Sequence, residues 1–228
     1  MIKIFTFNLF QEHTMVLWEE GKEACVLIDP GYSSPAEEEQ FSGFLERYSL
    51  RPEAILLTHG HCDHCYPVAA ACRKYRCKAY MSEADRQEMD INLRVSTALG
   101  MGKFELFPFT PVKDGETLTP AGWTFEVIET PGHTMGSVCY LMRSEGILFS
   151  GDTLFAGTIG RTDFKYSDYD TEIRSILERL MPLDPSTKVY PGHGESTTIG
   201  DEAAGNPMLE PFNDPEPDED LEPIIING

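Results

Sequence analysis

Five of the six histidines and two aspartates lie in four short segments, each directly after a run of residues typical of a β-strand. Loops that leave the carboxyl ends of strands commonly present catalytic groups, because the rigid scaffold aims them. Histidine and aspartate together suit a borderline divalent ion such as zinc, so the sequence predicts a metal centre. Its candidate ligands are His59, His61, Asp63, His64, His133, Asp152 and His193.

The spacing within the first segment indicates two metal ions. His59 and His61 are two residues apart and can converge on one ion from a turn. The adjacent Asp63 and His64 point elsewhere, so a second ion is the natural interpretation. Three later residues would complete the two sites or bridge the ions: His133, His193 and Asp152.

Two ions held in this way would give the site hydrolytic chemistry. At a separation of about 3.5–4 Å they can share a hydroxide and polarise an electrophile together. A histidine-bound zinc ion brings the pKa of its water from ~15.7 towards ~7. We expect Asp63 to orient the metal-bound hydroxide and Asp152 to act as the bridging catalytic carboxylate. Zinc is the expected metal, with iron or manganese as alternatives.

The elements that position these residues alternate between strands and helices in both halves of the chain. Strands are predicted at residues 2–8, 14–18, 24–29, 54–57, 78–81, 116–118, 123–129, 137–143, 146–149 and 188–190. Helices are predicted at 34–48, 66–75 and 83–89 and around Ile173–Leu180, with a long loop at 151–168. This alternation predicts an α/β sandwich of two β-sheets with helices outside.

Composition limits the classes of function. The 228 residues, 41% of them hydrophobic, suffice for one large domain, which we place at residues 1–212. The formal net charge is −20, from 18 basic and 38 acidic side chains. Such a protein repels phosphate backbones and anionic lipid, so we expect neither nucleic-acid nor membrane partners.

The two ends of the chain carry further expectations. Residues 1–8 alternate as in a strand and do not resemble a secretory signal, which predicts a cytoplasmic protein. Residues 213–228 are acidic and rich in proline, and we expect them to form a flexible tail.

The order and spacing of the candidate ligands resemble the metallo-β-lactamase superfamily and, within it, the glyoxalase II branch. The motif His59-x-His61-x-Asp63-His64 fixes four residues in six positions, and three more follow in matching order. The resemblance covers about residues 2–209 and implies a four-layer αββα sandwich of two mixed β-sheets. It implies Asp152 as the bridge between two ligand groups: His59, His61 and His133, and Asp63, His64 and His193.

Within that branch the chain looks like the short, single-domain glyoxalase-II-like proteins, which are similar to hydroxyacylglutathione hydrolases. Full-length glyoxalase II carries a helical C-terminal domain that supplies much of the glutathione pocket, whereas about 35 residues follow His193 here. The segments 160–164 and 197–200 also suit the short group. The resemblance therefore implies a small-molecule thioester substrate, either hydroxyacylglutathione or a related compound.

Two other functions remain open on the same fold. A persulfide dioxygenase resembles this chain through residues 160–164 and would use one iron ion, held by His59 or His61 with His133 and Asp152. The complete second group of ligands argues against this function. A metal-binding scaffold without catalysis is the other alternative, although none of the seven ligands is missing.

The loop at 151–168 supplies four candidates outside the metal centre. Arg161 could fork onto a substrate carboxylate, or form with Asp163 an ion pair that holds a metal ligand in place. We favour the ion pair. Lys165 and Tyr166 either touch the substrate or lie in a solvated loop.

The remaining histidine and the cysteines have simpler interpretations. His13 stands away from the other signals, and we expect it at the surface. Cys62 and Cys65 could join Cys72 and Cys77 in a second cluster or form a redox pair. We expect thiols instead, because buried thiols behave as small hydrophobes.

Overall fold

Two mixed six-stranded sheets lie face to face in the computed structural model, which describes residues 1–210. The first sheet contains β1 (Ile2–Phe7), β2 (Glu12–Trp18), β3 (Ala24–Ile28), β4 (Arg51–Leu56), β5 (Lys78–Ser82) and β6 (Phe109–Val112). The second contains β7 (Thr117–Leu118), β8 (Phe125–Glu129), β9 (Val138–Met142), β10 (Ile147–Gly151), β13 (Lys188–Pro191) and β14 (Thr197–Thr198). A separate hairpin consists of β11 (Leu154–Phe155) and β12 (Thr158–Ile159).

Helices cover the outer faces of both sheets. Those on the first sheet are α1 (Pro35–Arg47), α2 (Cys62–Cys65), α3 (Val68–Tyr75) and α4 (Arg86–Val95). Those on the second are α5 (Tyr169–Ser175), which continues as a π-helical turn (Ile176–Leu180), and α6 (Ile199–Gly205). Within residues 1–210, no helix combines the length and the apolar content needed to cross a membrane.

Alternation along the central strands explains the layers. In β3, Cys25 and Leu27 pack towards the helices, whereas Val26 and Ile28 pack against the second sheet. Successive side chains of a strand point to opposite faces, so a strand buried on both sides must be apolar throughout. A third apolar cluster lies between the second sheet and its helices. These layers confirm the αββα sandwich.

Several boundaries differ from those expected. The helix expected at 66–75 begins only at Val68, after Pro67, and the one expected at 83–89 runs from Arg86 to Val95. The loop expected at 151–168 contains the β11–β12 hairpin, and β6, β14 and α6 were not predicted. These are short elements fixed by pairing with distant strands or by a cap at Thr198, which a local pattern does not show. The tail expected at 213–228 lies outside the described residues.

Helix α1 begins with a capping box that also anchors the candidate metal centre. The hydroxyl of Ser34 accepts from the backbone N–H of Glu37, and the Glu37 carboxylate accepts from the N–H of Ser34 at 3.0 Å. The same carboxylate accepts from the N–H groups of Ser33 at 2.8 Å and Asn8 at 2.7 Å. The Asn8 amide in turn donates to the carbonyl of Asp63 at 3.0 Å.

Replacement of Glu37 by alanine should lower the free energy of unfolding by about 1–2 kcal/mol, because a capping carboxylate with three backbone donors is lost. Solvent screening of this partly exposed group keeps the effect small. Partial burial raises the pKa of Glu37, but the hydrogen bonds outweigh it and hold the pKa below 4.5. Its stabilisation is therefore present above pH 4.5 and is lost as the pH falls through the lower folded-state pKa.

Urea unfolding of the metal-free protein at neutral and acidic pH checks this prediction. The difference between wild type and Glu37→Ala should shrink towards low pH. The exposed Glu39 of the same helix provides the control, and Glu39→Ala should change stability by less than about 0.5 kcal/mol. Equal effects of the two substitutions would contradict the capping role.

Candidate metal centre

The seven candidate ligands meet at one edge of the sandwich, in loops that follow the ends of four strands. One loop follows β4 of the first sheet, and three follow β8, β10 and β13 of the second. Strands β10 and β13 are parallel neighbours, so their loops leave the sheet on the same side. Side chains from both sheets thus reach one place.

The first group of ligands joins His59 and His61, from the β4 loop, with His133, from the β8 loop. Nδ1 of His61 lies 3.1 Å from Nε2 of His59 and 3.0 Å from Nε2 of His133. Nitrogens bound to a tetrahedral zinc ion at about 2.0–2.1 Å stand about 3.3 Å apart. The three rings are therefore close to the arrangement that one ion requires.

The second group joins Asp63 and His64 with His193. The Nε2 atoms of His64 and His193 are 3.2 Å apart, and Oδ2 of Asp63 lies 3.7 Å and 3.5 Å from them, respectively. Asp152 lies between the groups. Its Oδ1 is 3.4 Å from Nε2 of His64, while its Oδ2 is 3.5 Å from Nε2 of His133 and 3.4 Å from Nε2 of His193.

The surroundings of Asp152 fit a pair of divalent cations. Its Oδ1 is buried and makes no hydrogen bond. A buried carboxylate oxygen without a partner is costly unless a cation neutralises it. Gly192 leaves the adjacent space free, because a Cβ atom there would overlap Oδ1 of Asp152 and Cε1 of His64. The donor set therefore suits two metal ions.

Protonation of the histidines differs between the two groups. Burial lowers the pKa of His61 to about 3 and that of His59 well below 6.5, so both rings are neutral and offer a lone pair. Burial also lowers the pKa of His193, but Asp152 and Asp63 outweigh it and raise the pKa to about 9. The carboxylates of Asp63 and Asp152 thus already attract positive charge to the second group.

Backbone carbonyls accept hydrogen bonds from two of the histidine ligands, at the ring nitrogens that face away from the ligand groups. Nδ1 of His133 donates to the carbonyl of Arg161 at 2.8 Å, and Nδ1 of His193 donates to the carbonyl of Phe10 at 3.0 Å. Such contacts fix the tautomer and the orientation of a ligating ring, and their loss typically costs about 10–100-fold in metal affinity.

Asp29 is a supporting residue that sequence reasoning missed. Its buried carboxylate accepts from the N–H of Thr58 at 2.8 Å and from its hydroxyl at 2.5 Å, and it lies 3.1 Å from Nδ1 of His64. It could also form a metal group with His59 and His64, but these bonds already occupy it. Its position directly after β3 matches that of the ligands and is the signal that could have found it.

Asp85 is a second supporting residue that was missed. Its buried carboxylate accepts from the N–H of Gly60 at 2.7 Å, the hydroxyl of Thr134 at 2.8 Å and the N–H of Gly136 at 2.7 Å. It therefore ties the β4 loop to the loop that carries His133. It lies in the short helix predicted at 83–89, where no local signal distinguishes it from a solvent-exposed acidic residue.

The four candidates outside the metal centre divide into two pairs. The Arg161 guanidinium binds the Asp163 carboxylate at 3.0 Å and 2.8 Å, and both side chains are largely exposed. Arg161 supports His133 through its backbone carbonyl, which corrects the expectation that the ion pair does so. Lys165 donates to the hydroxyl of Tyr166 at 2.9 Å, and both residues line a cavity above the ligands.

This cavity has a volume of about 680 Å³, which suits a small-molecule substrate. Ligands from both groups line its floor, including His61, Asp63 and His193. The ring of Phe164 lies edge-on to His61 at 5.2 Å and to His133 at 5.7 Å between ring centroids. The metal centre is thus both accessible and flanked by an aromatic ring.

The remaining histidine and the cysteines lie outside the two ligand groups. His13, expected at the surface, is partly buried, and its Nδ1 lies 3.2 Å from the carbonyl of Pro191 because β2 runs beside the β13 loop. All six cysteines are free thiols. Cys62 is buried beside the centre, and its sulfur lies 3.6 Å from that of Met101.

Known sequences resemble this chain over almost all of its described length. The family model of the metallo-β-lactamase superfamily matches residues 8–193. The hydroxyacylglutathione hydrolase GloC of Haemophilus influenzae is 34% identical over 212 residues, which cover 91% of this chain and 97% of the relative. The probable metallo-hydrolase YqgX of Bacillus subtilis is 32% identical, over 84% of this chain and 90% of its own length.

Solved structures agree with this similarity. The B3 metallo-β-lactamase BLEG-1 superposes with a TM-score of 0.83 at 37% identity, covering 92% of this chain and 99% of its own. TTHA1623, in a di-iron-bound form, superposes with a TM-score of 0.80 at 34% identity, covering 91% and 100%, respectively. With the αββα fold and the His/Asp groups at its edge, the chain belongs to the metallo-β-lactamase superfamily.

Proposed function

We propose that the protein is a binuclear metal-dependent hydrolase that cleaves small thioesters, as glyoxalase II does. The main support for this proposal is the pair of ligand groups, with Asp152 between them, at the floor of a cavity. The similarity to GloC, a hydroxyacylglutathione hydrolase, favours a thioester over other hydrolysable bonds.

The residues of the centre have distinct roles in this proposal. When bound, two divalent ions would lower the pKa of a water molecule and polarise the thioester carbonyl. The residues that would hold them are His59, His61 and His133 for one ion, and Asp63, His64 and His193 for the other, with Asp152 shared. The carboxylate of Asp63 faces the cavity and would accept a hydrogen bond from the attacking water, which orients it. Phe164 would shield the histidines of the first group from bulk water.

The ionised state of Asp152 supports its bridging role. Without metal, burial raises its pKa, but the charge of His64 and a hydrogen bond from His193 outweigh burial and hold the pKa well below the usual value. With metal bound, the ligating histidines would be neutral, and the cations would keep the carboxylate ionised. The carboxylate is therefore negative at neutral pH and can offset the repulsion between two cations.

A mononuclear iron persulfide dioxygenase would use only part of this site. It would leave Asp63, His64 and His193 without a metal, although these residues converge on one point. A metal-binding scaffold without catalysis would have no use for the cavity above the ligands. Because BLEG-1 is a B3 metallo-β-lactamase, a β-lactam belongs among the test substrates.

Metal analysis combined with a substrate panel tests the proposal. Protein produced with zinc, iron or manganese should bind two equivalents of metal. It should hydrolyse thioesters faster than it hydrolyses a β-lactam such as nitrocefin. A single equivalent of iron at saturating metal, with oxygen-dependent oxidation of a persulfide, would support the dioxygenase instead. Metal binding without turnover on any of these substrates would support the scaffold.

Preference for a glutathione thioester should be modest. Apart from the histidine ligands, the cations among the described lining residues are Arg161 and Lys165, and Arg161 is already paired with Asp163. A charge-assisted contact contributes about 1.5–3 kcal/mol, so few such contacts limit selectivity for an anionic thiol. We expect kcat/KM for S-lactoylglutathione to exceed that for lactoyl esters of other small thiols by less than about a hundredfold, ~2.7 kcal/mol. A larger ratio would reveal a dedicated glutathione pocket.

A further inference from the structure

One wall of the cavity is apolar and has no role in the chemistry described above. Ile91 and Val95 of α4 line it, and Leu99 continues it beyond the helix. Residues four apart lie on the same face of a helix, so Ile91 and Val95 form one stripe towards the cavity. Two aromatic residues from other loops, Phe10 and Phe155, add to the lining.

The core of the protein does not require this stripe. The buried side of α4 is formed by Glu88, Met89 and Asn92. Ile91 and Val95 are only half-buried, and neither belongs to the three apolar clusters in residues 1–210. When a ligand covers apolar surface that faces water, the free energy of the system falls. Large apolar patches therefore often mark binding sites.

The dimensions of the cavity leave room for more than the reacting carbonyl. Its volume of about 680 Å³ lies within the range of sites that enclose a drug-sized ligand. Cationic partners for a charged substituent are few, because Arg161 binds Asp163 and only Lys165 is left among the described lining residues. The space beside α4 therefore suits an uncharged hydrocarbon group.

We propose that the Ile91–Val95 stripe binds an aliphatic or aromatic chain of the substrate, so that the preferred substrates are thioesters with a medium-length apolar chain. This inference rests on the proposed thioester hydrolysis. The chain could belong to the acyl group or to the thiol. The chemistry that the wall recognises is the same in both cases, and the experiment distinguishes them.

Two series of thioesters test the inference on the metal-loaded protein. One lengthens the acyl group from acetyl to octanoyl on N-acetylcysteamine, and the other lengthens an alkyl thiol on a constant acetyl group. In one series kcat/KM should rise about two- to fourfold per methylene group up to hexanoyl or hexyl, as expected for burial of each methylene. A flat profile in both series would overturn the inference while leaving the thioesterase proposal intact.

Isosteric variants locate the effect on α4. Val95→Thr replaces a methyl group with a hydroxyl of similar size, and should reduce the gain per methylene to less than about half. Leu93→Thr is the matched control, because Leu93 lies on the same helix but is exposed outside the cavity. Equal chain-length profiles for wild type, Val95→Thr and Leu93→Thr would overturn the assignment to the stripe.

A binding measurement separates the inference from the proposed function. Calorimetric titration of the metal-loaded protein with acetate, butyrate and hexanoate needs no turnover. Hexanoate should bind at least about tenfold more tightly than acetate, and Val95→Thr should remove most of this difference. If no thioester is hydrolysed, the proposed function fails, yet the chain-length dependence of binding still decides whether the wall accepts an apolar chain. Equal affinities for acetate, butyrate and hexanoate would refute the inference that the wall binds an apolar chain.

Discussion

Replacement of Asp152 by asparagine or alanine should lower kcat/KM by more than about a hundredfold and remove at least one metal equivalent. Residues that merely hold a ligand typically change metal affinity or activity by about 10–100-fold, so loss of a shared ligand should exceed that range. Asp152 is placed to affect both ions, because it lies within 3.5 Å of histidine nitrogens from each group.

Metal content provides the discriminating measurement for Asp152. Without metal, His64 and His193 hold the Asp152 pKa well below its usual value, so Asp152→Asn should also lower the free energy of unfolding of the metal-stripped protein at neutral pH. Bound metal is therefore counted on protein that circular dichroism shows to be folded. The exposed Asp90 on α4 serves as the control, and Asp90→Asn should keep two metal equivalents and near-wild-type turnover. Normal turnover with two bound ions in Asp152→Asn would mean that the bridge is wrongly assigned.

Replacement of Asp85 by alanine should damage both stability and metal binding. Its carboxylate satisfies two buried backbone N–H groups and one hydroxyl, and a buried donor without a partner costs about 1–3 kcal/mol. Burial raises the pKa of Asp85, and hydrogen bonds from Thr134, Gly60 and Gly136 oppose this shift. Removal of the buried charge thus offsets part of the loss, and we expect the free energy of unfolding to fall by about 2–4 kcal/mol.

Metal affinity should fall in the same variant, by about 10–100-fold. Gly60 lies between His59 and His61, and Thr134 follows His133, so Asp85 holds both segments of the first group. Chelator competition for zinc measures this change. Glu83→Gln provides the control, because Glu83 lies two residues earlier in an exposed pair with Arg86 that contributes little. A loss of stability with unchanged zinc affinity would show that Asp85 supports the fold but not the ligands.

The sequence indicated the fold and the ligand loops because both depend on local patterns. An apolar run such as Ile55-Leu56-Leu57 predicts a buried strand, and the polar residues directly after it identify the edge at which that strand ends. Layers and ligand positions follow from those two observations. The same reasoning gives the helix at α1, whose cap and acidic first turn are contiguous in the chain.

The supporting residues depend on contacts between distant segments. Asp85 meets Gly60 and Gly136 across separations of 25 and 51 residues, which periodicity does not report. Likewise, the Arg161 guanidinium suggested an ion pair, whereas its carbonyl makes the contact with His133. A backbone atom has no signature in the residue type, so that contact required the structure.

All ligand loops leave the sandwich on one side, at the carboxyl ends of their strands. The opposite ends of the strands in the second sheet are therefore available for the attachment of a tag or linker. The turn at residues 143–146 joins β9 to the start of β10, whereas Asp152 follows the end of β10. The five residues of β10, at about 3.3 Å each, separate this turn from the ligands by about 16 Å. A peptide tag or a surface linker inserted there would leave the mouth of the cavity free for small molecules when the protein is immobilised.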